Sequence, residues 1–293
     1  MLSKDCLEGE NMRKSIRKNI FTFLLVCVII TVIGPVSVIA ANDQGVKLYI
    51  DGELLETDAP IELIDSTTYV PLRAVSEKLS QVDIRWDGAT QTAYVSGPNI
   101  SLSVKIGAQY LQANGRYLYI PGGCKLIRGC TLVPVRVLAK AFDASVTWDG
   151  ATNSVYINTG SGAITPGERY YQSDSVYWLS RIIYAESGHE PLNGQIAVGN
   201  VVQNRVASSS FPNTIYGVIF DRRYGTTQFS PVANGTINNT PSEMSVIAAK
   251  ICLEGYNVVG NSMFFLNPRI ASSNWFDTNL TMTAVIGNHA FYA

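Results

Sequence analysis

Residues 178–188 read WLSRIIYAESG, an apolar run that ends in a carboxyl group and a glycine. Its apolar residues recur at helical spacing, so the run predicts a helix from Asp174, as N-cap, to about Ser187. Glu186 then lies at the carboxyl end of the helix, where the helix dipole and apolar neighbours both raise a carboxyl pKa. A protonated carboxyl group can act as a general acid. A helix-terminal glutamate is more often a solvated surface residue, so the run alone leaves both interpretations open.

Two further helices are predicted on the C-terminal side of this run. One spans Pro191 to about Ala207, and the other spans Pro241–Leu253 after a capping box at residues 240–243. Gly255 follows as a helix-end signal. Residues 263–266 and 283–286 predict short strands. We therefore expect residues 170–293 to form a mainly helical domain.

Glu190 precedes Pro191 and is predicted to cap the second helix, where a carboxylate meets the positive end of the dipole. The run His189-Glu190-Pro191-Leu192-Asn193 differs from a zinc-protease motif because Asn193 stands where a second histidine is required. The chain has only 2 His and no CxxC pair. We expect no metal and no cofactor.

Several motifs of the C-terminal region resemble the spore cortex-lytic cell-wall hydrolases (the SleB/CwlJ-like family). The first is Arg181–Pro191, and the others follow in the family's order: residues 194–198, 201–206, 228–230, 267–268 and 286–292. Residues 187–189 read SGH where the family more commonly has ARG.

This resemblance implies a lysozyme-like fold that acts on peptidoglycan. It assigns Glu186 as the catalytic acid and Glu190 as a supporting residue. Gln228, Asn267, His289 and Tyr292 become candidate substrate-binding residues, with a structural role equally open for each. Many relatives are lytic transglycosylases, which need one carboxyl group, unlike two-carboxylate glycosidases. The other acidic residues show no comparable context, and Asp221 is the reserve candidate if water is the nucleophile.

An internal repeat marks the N-terminal half. Residues 69–79 read YVPLRAVSEKL and residues 132–142 read LVPVRVLAKAF, and each segment is followed by a WDGAT hairpin signal. Each unit predicts a short helix and a β-hairpin, so we expect a repeated α+β domain over residues 46–159. Arg73 and Arg136, one in each copy, are expected to pair within the fold.

This segment resembles the copper amine oxidase N-terminal-like stalk domain, which implies a non-catalytic accessory role. Residues 46–159 contain no histidine, so copper binding is not expected. Residues 160–169, rich in Gly, Ser, Thr and Pro, predict a linker. The fold class is therefore multidomain α+β, with a stalk followed by a mainly helical, lysozyme-like domain.

The N-terminus predicts export. A basic cluster precedes an apolar run at residues 20–33 and small residues follow, so residues 1–41 predict a signal peptide cut after Ala40, with a retained anchor as the alternative. Cys124 and Cys130 form either a disulfide or two reduced thiols. Net charge is −1, which does not favour nucleic acid as a partner.

Together these features predict a secreted enzyme of a Gram-positive-type bacterium that cleaves peptidoglycan of the wall or spore cortex. The alternative is a non-catalytic wall-binding or spore-coat protein. An amide or peptide hydrolase would need a nucleophile or metal site that the sequence does not offer. The sequence does not decide whether the substrate is spore cortex or vegetative wall, or whether the reaction is transglycosylation or hydrolysis. The oligomeric state is open as well.

Overall fold

The computed structural model describes residues 45–223, 225–270 and 275–293. The predicted signal peptide lies outside these ranges. Within them, no helix is both long enough and apolar enough to cross a membrane.

The N-terminal half is β-rich and contains two short helices. Its strands are β1 Lys47–Ile50, β2 Glu53–Leu54, β3 Glu62–Ile64, β4 Thr67–Pro71, β5 Asp83–Asp87, β6 Thr92–Ser96, β7 Ser101–Lys105, β8 Tyr110–Ala113, β9 Arg116–Tyr119, β10 Lys125–Ile127, β11 Cys130–Pro134, β12 Ser145–Asp149 and β13 Ser154–Asn158. Its helices are α1 Leu72–Leu79 and α2 Val135–Ala141. Both begin directly after a proline, whose missing N–H costs nothing at a helix start.

Three sheets organise this half. Their strand orders are β12-β13-β1-β2, β10-β11-β4-β3 and β5-β6-β7-β8-β9. In the middle sheet, β4 pairs antiparallel with β11, so the strands that lead into the two helices lie side by side. Alternating residues of all three sheets and the inner faces of α1 and α2 bury one apolar core.

The C-terminal half is mainly helical. Its elements are α3 Gly167–Tyr170, α4 Ser173–Ser187, α5 Leu192–Ala207, α6 Ile215–Ile219, α7 Ser230–Asn234, a 3₁₀ turn Thr236–Asn238, α8 Glu243–Leu253, β14 Phe264–Leu266, α9 Trp275–Asn279, β15 Met282–Ile286 and β16 His289–Tyr292. The three long helices match the sequence prediction to within one or two residues at their starts. The short helices α3, α6, α7 and α9 were not predicted, because four or five residues are too few to show a helical period.

Helices α4, α5 and α8 pack around Gly199 of α5. A Cβ atom at this position would lie 2.6 Å from Cys252 Sγ and 2.8 Å from Ile183 Cδ1. Glycine therefore lets the three helices approach closely. Strand β16 is the middle strand of the small sheet β14-β16-β15 and is buried along its whole length.

The two halves share a buried contact. The Arg116 guanidinium on β9 donates two hydrogen bonds of 2.7 Å to the Glu254 carboxylate, just after α8. Lys140 Nζ lies 3.0 Å from Glu254 Oε2, and the Tyr171 hydroxyl donates to Oε1 at 2.8 Å. We call these four residues the Glu254 cluster. Tyr119 of β9 also packs into the core of the helical half.

Residues 160–169, predicted as a linker, contact the β-rich half at two points. Ile164 is buried in the core of the β-rich half, and Gly167 N donates to Asn114 O at 2.8 Å. The buried isoleucine and a glycine packed against Gly115 hold this segment to the β-rich half.

The proposed disulfide between Cys124 and Cys130 is not formed. Cys124 is a free, buried thiol, and burial raises its pKa to about 12. It is a packed core residue.

Candidate active site

Glu186 lies in the last turn of α4, which ends at Ser187. Gly188 follows as the C-cap with helical φ and ψ of −59° and −20°, and its N–H still donates to the Tyr184 carbonyl oxygen. A Cβ atom at residue 188 would lie 2.7 Å from Tyr184 Cδ2, so glycine lets the tyrosine ring lie against the end of the helix. The carboxyl group is half-buried and receives no hydrogen bond from the residues that the structure describes. Burial raises its pKa to about 7, and the positive charge of Arg205 limits the rise. A carboxyl group with such a pKa can give or take a proton near neutral pH.

Arg205 is the only ionisable residue of α5 and is 6% exposed. Its guanidinium lies 5.1 to 5.4 Å from the ring centroids of Phe211, Phe229 and Phe264. Its Nε donates to Met263 O at 2.7 Å, while Nη1 is buried without a hydrogen-bond partner in the described part of the chain.

Burial lowers the pKa of Arg205 to about 10, and the charges of Asp221 and Glu186 oppose this decrease. The side chain is thus a cation in an aromatic enclosure, electrostatically coupled to Glu186. No sequence motif predicted a role for Arg205. The signal that could have identified it is its charge, because Arg205 is the only charged residue in the predicted helical run of residues 192–207.

Glu190 does not cap α5, contrary to the sequence prediction. The helix begins at Leu192 after Pro191, without a side-chain cap. The Glu190 carboxylate instead accepts hydrogen bonds from Asn288 N at 3.1 Å and Asn288 Nδ2 at 2.7 Å. It thereby ties the α4–α5 loop to the turn between β15 and β16.

Two predicted substrate-binding residues lie on β16 and are buried. Tyr292 is 1% exposed, and its hydroxyl donates to Asp277 Oδ1 at 2.7 Å. His289 lies edge-on to Phe265, with ring centroids 5.4 Å apart. Burial lowers the pKa of His289, and the charge of Glu190 opposes this. Tyr292 therefore offers almost no surface to a substrate, because its ring packs against Phe276, with centroids 5.6 Å apart, and its hydroxyl hydrogen-bonds to Asp277.

The other two candidates are half-buried on segments that flank Arg205. Gln228 immediately precedes Phe229, and its N–H donates to Asp221 O at 3.3 Å. Asn267 follows β14, and its Oδ1 accepts from Arg269 N at 3.0 Å. Their side-chain amide groups keep donors for a ligand.

Asp221, the reserve catalytic residue, is already engaged. Its carboxylate accepts three side-chain hydrogen bonds of 2.7 to 3.0 Å from Arg223, and these lower its pKa. It is ionised and paired, unlike Glu186.

Comparisons with known proteins agree with this organisation. Residues 189–292, which begin just after Glu186, match the cell wall hydrolase family, and residues 49–157 match the copper amine oxidase N-terminal domain. A spore cortex-lytic enzyme of Bacillus cereus is 39% identical over 121 residues, covering 41% of this chain and 45% of that protein. One of Oceanobacillus iheyensis is 33% identical, covering 48% of this chain and 49% of that protein. The chain therefore spans about half the length of these relatives.

Solved structures include the catalytic domain of SleB from Bacillus cereus, with 37% identity, a TM-score of 0.38, and coverage of 42% of this chain and 92% of that one. The catalytic domain of the germination-specific lytic transglycosylase SleB from Bacillus anthracis gives 37% identity and a TM-score of 0.39, with 44% of this chain and 100% of that one covered.

Proposed function

We propose, from the premise that this chain belongs to the cell wall hydrolase family, that its helical half cleaves the glycan strands of peptidoglycan with Glu186 as the catalytic acid. The observation that carries the proposal is the half-buried carboxyl group of Glu186, which has no hydrogen-bond partner among the described residues and a pKa raised to about 7. Such a group is available both to give and to take a proton near neutral pH.

The reaction we propose is lytic transglycosylation. Protonated Glu186 transfers its proton to the glycosidic oxygen as the bond from this oxygen to muramic C1 breaks. Positive charge develops on the sugar ring, and the C6 hydroxyl oxygen of the same ring attacks C1. The Glu186 carboxylate takes the hydroxyl proton, so the acid is regenerated and no water is consumed. A paired Asp221 is consistent with a mechanism that needs no second carboxyl group.

Arg205 supports this cycle electrostatically. Its charge stabilises the Glu186 carboxylate that exists between the two proton transfers, because a nearby cation favours the ionised form. Gln228 and Asn267 are proposed to bind N-acetyl groups or sugar hydroxyls through their amides. Glu190 supports the site by holding the turn at Asn288.

Product analysis tests the reaction type. The chain is incubated with purified spore cortex and, separately, with vegetative peptidoglycan in heavy-oxygen water, and the released fragments are analysed by mass spectrometry. We expect 1,6-anhydromuramic ends without solvent oxygen. Reducing ends that carry the heavy isotope would replace transglycosylation by hydrolysis and leave glycan cleavage standing. No fragments from either substrate would favour the alternative of a non-catalytic wall-binding protein.

We further propose that residues 46–159 form the accessory domain, residues 160–169 the connection and residues 170–293 the catalytic domain of an exported, wall- or spore-associated protein. N-terminal sequencing of the protein recovered from the wall tests export. A mature chain that begins near Ala41 agrees with it, and one that retains Leu24-Leu25 supports the membrane anchor instead.

A further inference from the structure

Two grooves in the β-rich half are built from corresponding residues. The first, of about 490 Å³, is lined by Pro71, Leu72, Arg73, Ile84, Trp86, Ala93, Leu126, Gly129, Cys130 and Thr131. The second, of about 370 Å³, is lined by Pro134, Val135, Arg136, Val146, Trp148, Val155, Leu63, Ser66, Thr67 and Thr68. Each residue of the first list corresponds, in order, to one of the second at a separation of 62 or 63 positions. We call them the Trp86 groove and the Trp148 groove.

The correspondence is reciprocal. Each groove takes its proline, arginine and tryptophan from one copy of the repeat and its leucine and threonine from the other. The antiparallel pairing of β4 with β11, with Val70 opposite Val133, produces this exchange, because it relates the two copies by an approximate twofold axis.

Packing accounts for only part of what the grooves have in common. Trp86, Ile84 and Val146 lie against the core. Arg73 and Arg136 each donate to a backbone carbonyl oxygen, of Ile84 at 3.3 Å and of Val146 at 3.5 Å.

Leu63 and Leu126 are 55% and 49% exposed, and Trp148 is 43% exposed. These exposed side chains gain little from core packing, and the two leucines occupy equivalent positions. Exposed apolar residues in a concave site indicate binding. Volumes of this size are typical of small-ligand sites.

We propose that the two grooves are a duplicated glycan-binding site that holds the peptidoglycan strand, which rests on the proposed function. Each groove offers an indole on which a sugar ring can stack, a guanidinium that can donate to hydroxyl and acetamido oxygens, and threonine hydroxyls. Two equivalent sites in one domain suit a polymer of repeating units, because engagement at one raises the effective concentration at the other.

Charge distinguishes the two grooves. Arg73 pairs with Glu77 at 3.2 Å. The position equivalent to Glu77 is Lys140, which pairs with Glu254 instead, and Arg136 has no acidic partner within 4 Å in the described part of the chain. The arginine of the Trp148 groove is therefore the one whose charge no acidic side chain of the described residues offsets, and the carboxylates of peptidoglycan complement it.

Binding measurements test the proposal. The full chain carrying Glu186→Gln is titrated with peptide-free glycan strands that retain their lactyl carboxylates, and with neutral chitin oligosaccharides. Trp86→Ala and Trp148→Ala should each weaken strand binding about tenfold, and the double variant about a hundredfold. The effect of Trp148→Ala should be larger for the anionic strands than for the neutral oligosaccharide. Leu54→Ala, which truncates a leucine of matched exposure (48%) outside both grooves, should leave affinity unchanged.

Thermal unfolding shows whether the tryptophan variants fold. If they do not, a second pair of variants still tests the proposal. Arg136→Gln should weaken binding of the anionic strands severalfold, whereas Lys105→Gln, which removes one exposed charge elsewhere on this half, should not. Strand affinity within twofold of the parent in the folded double variant, or equal effects of Arg136→Gln and Lys105→Gln, would overturn the proposal. So would a dimer that Trp148→Ala dissociates while strand binding persists, since the occupant would then be a second copy.

Failure of the proposed function has a different signature. It would appear as no fragment release by the parent chain, or as fragment release by the Glu186→Gln chain, whereas failure of the groove proposal appears as unchanged affinity in groove variants. The two outcomes are thus read from separate measurements.

Discussion

The carboxyl ends of α4 and α8 each place a glutamate in a buried setting, yet the two carboxyl groups have opposite properties. Glu186 receives no hydrogen bond from the described residues, and burial raises its pKa to about 7. Burial alone would also raise the pKa of Glu254, but hydrogen bonds from Arg116, Lys140 and Tyr171 lower it below its usual value. Hydrogen-bond partners, more than burial, therefore decide whether a buried acid is a proton donor or a structural anion.

The largest expected effect is at the unpaired acid. Glu186→Gln should lower the rate of glycan cleavage by about 10²–10⁴, because glutamine keeps the size of the side chain but delivers no proton. Fragment release from purified peptidoglycan measures it. The parent rate should fall as pH rises through about 7, where the acid ionises. An active Glu186→Gln chain with native circular dichroism would remove Glu186 from the mechanism.

The paired acid should matter for stability instead. Glu254→Gln leaves Arg116, which is 5% exposed, without its counter-charge, and we expect a loss of about 3–5 kcal/mol in the free energy of unfolding. Chemical denaturation measures this loss. The control is Glu243→Gln, a change at an exposed acid at the start of the same helix. Equal stability of the two variants would contradict the role of the Glu254 cluster.

The two acids should also give opposite pH dependences. The folded pKa of Glu186 is raised, so its unfavourable effect on stability grows as pH rises from about 4.5 to about 7. Glu186→Gln should therefore stabilise the chain at pH 8, by at most about 3 kcal/mol, and should not at pH 4. The folded pKa of Glu254 is lowered, so its contribution is present above about pH 4.5 and is lost as pH falls through the folded value. Thermal unfolding across pH measures both.

The smallest effect is expected from trimming the cluster. Tyr171→Phe removes one hydrogen bond to Glu254 while Arg116 and Lys140 remain, and about 1.5 kcal/mol of stability should be lost. Tyr170→Phe removes a neighbouring exposed hydroxyl and serves as the control for urea denaturation. A loss as large as that of Glu254→Gln would mean that the tyrosine, not the ion pair, holds the cluster together.

Local sequence signals predicted one of these acids and missed the other. The helical period before Glu186 and the capping box before α8 are visible within a few residues, so α4, α5 and α8 could be placed. Glu254 was set aside as an acid without context, since its partner Arg116 lies 138 residues away. The partner of Glu190 lies 98 residues away, which explains the mistaken helix-cap assignment. Contacts of that separation are decided by the packing of the two halves, which no local pattern encodes.

The Glu254 cluster limits how the helical half can be joined to another accessory domain. Its counter-charges, Arg116 and Lys140, both belong to the β-rich half. A chimera that joins residues 160–293 to an unrelated accessory domain inherits a carboxylate shaped to receive a bidentate guanidinium. The new domain must supply a matching cation, or the chimera must exchange Glu254 for an uncharged residue. Exchange of the accessory domain therefore depends on the cations that face Glu254, and we expect the isolated residues 160–293 to be less stable than the same residues in the full chain.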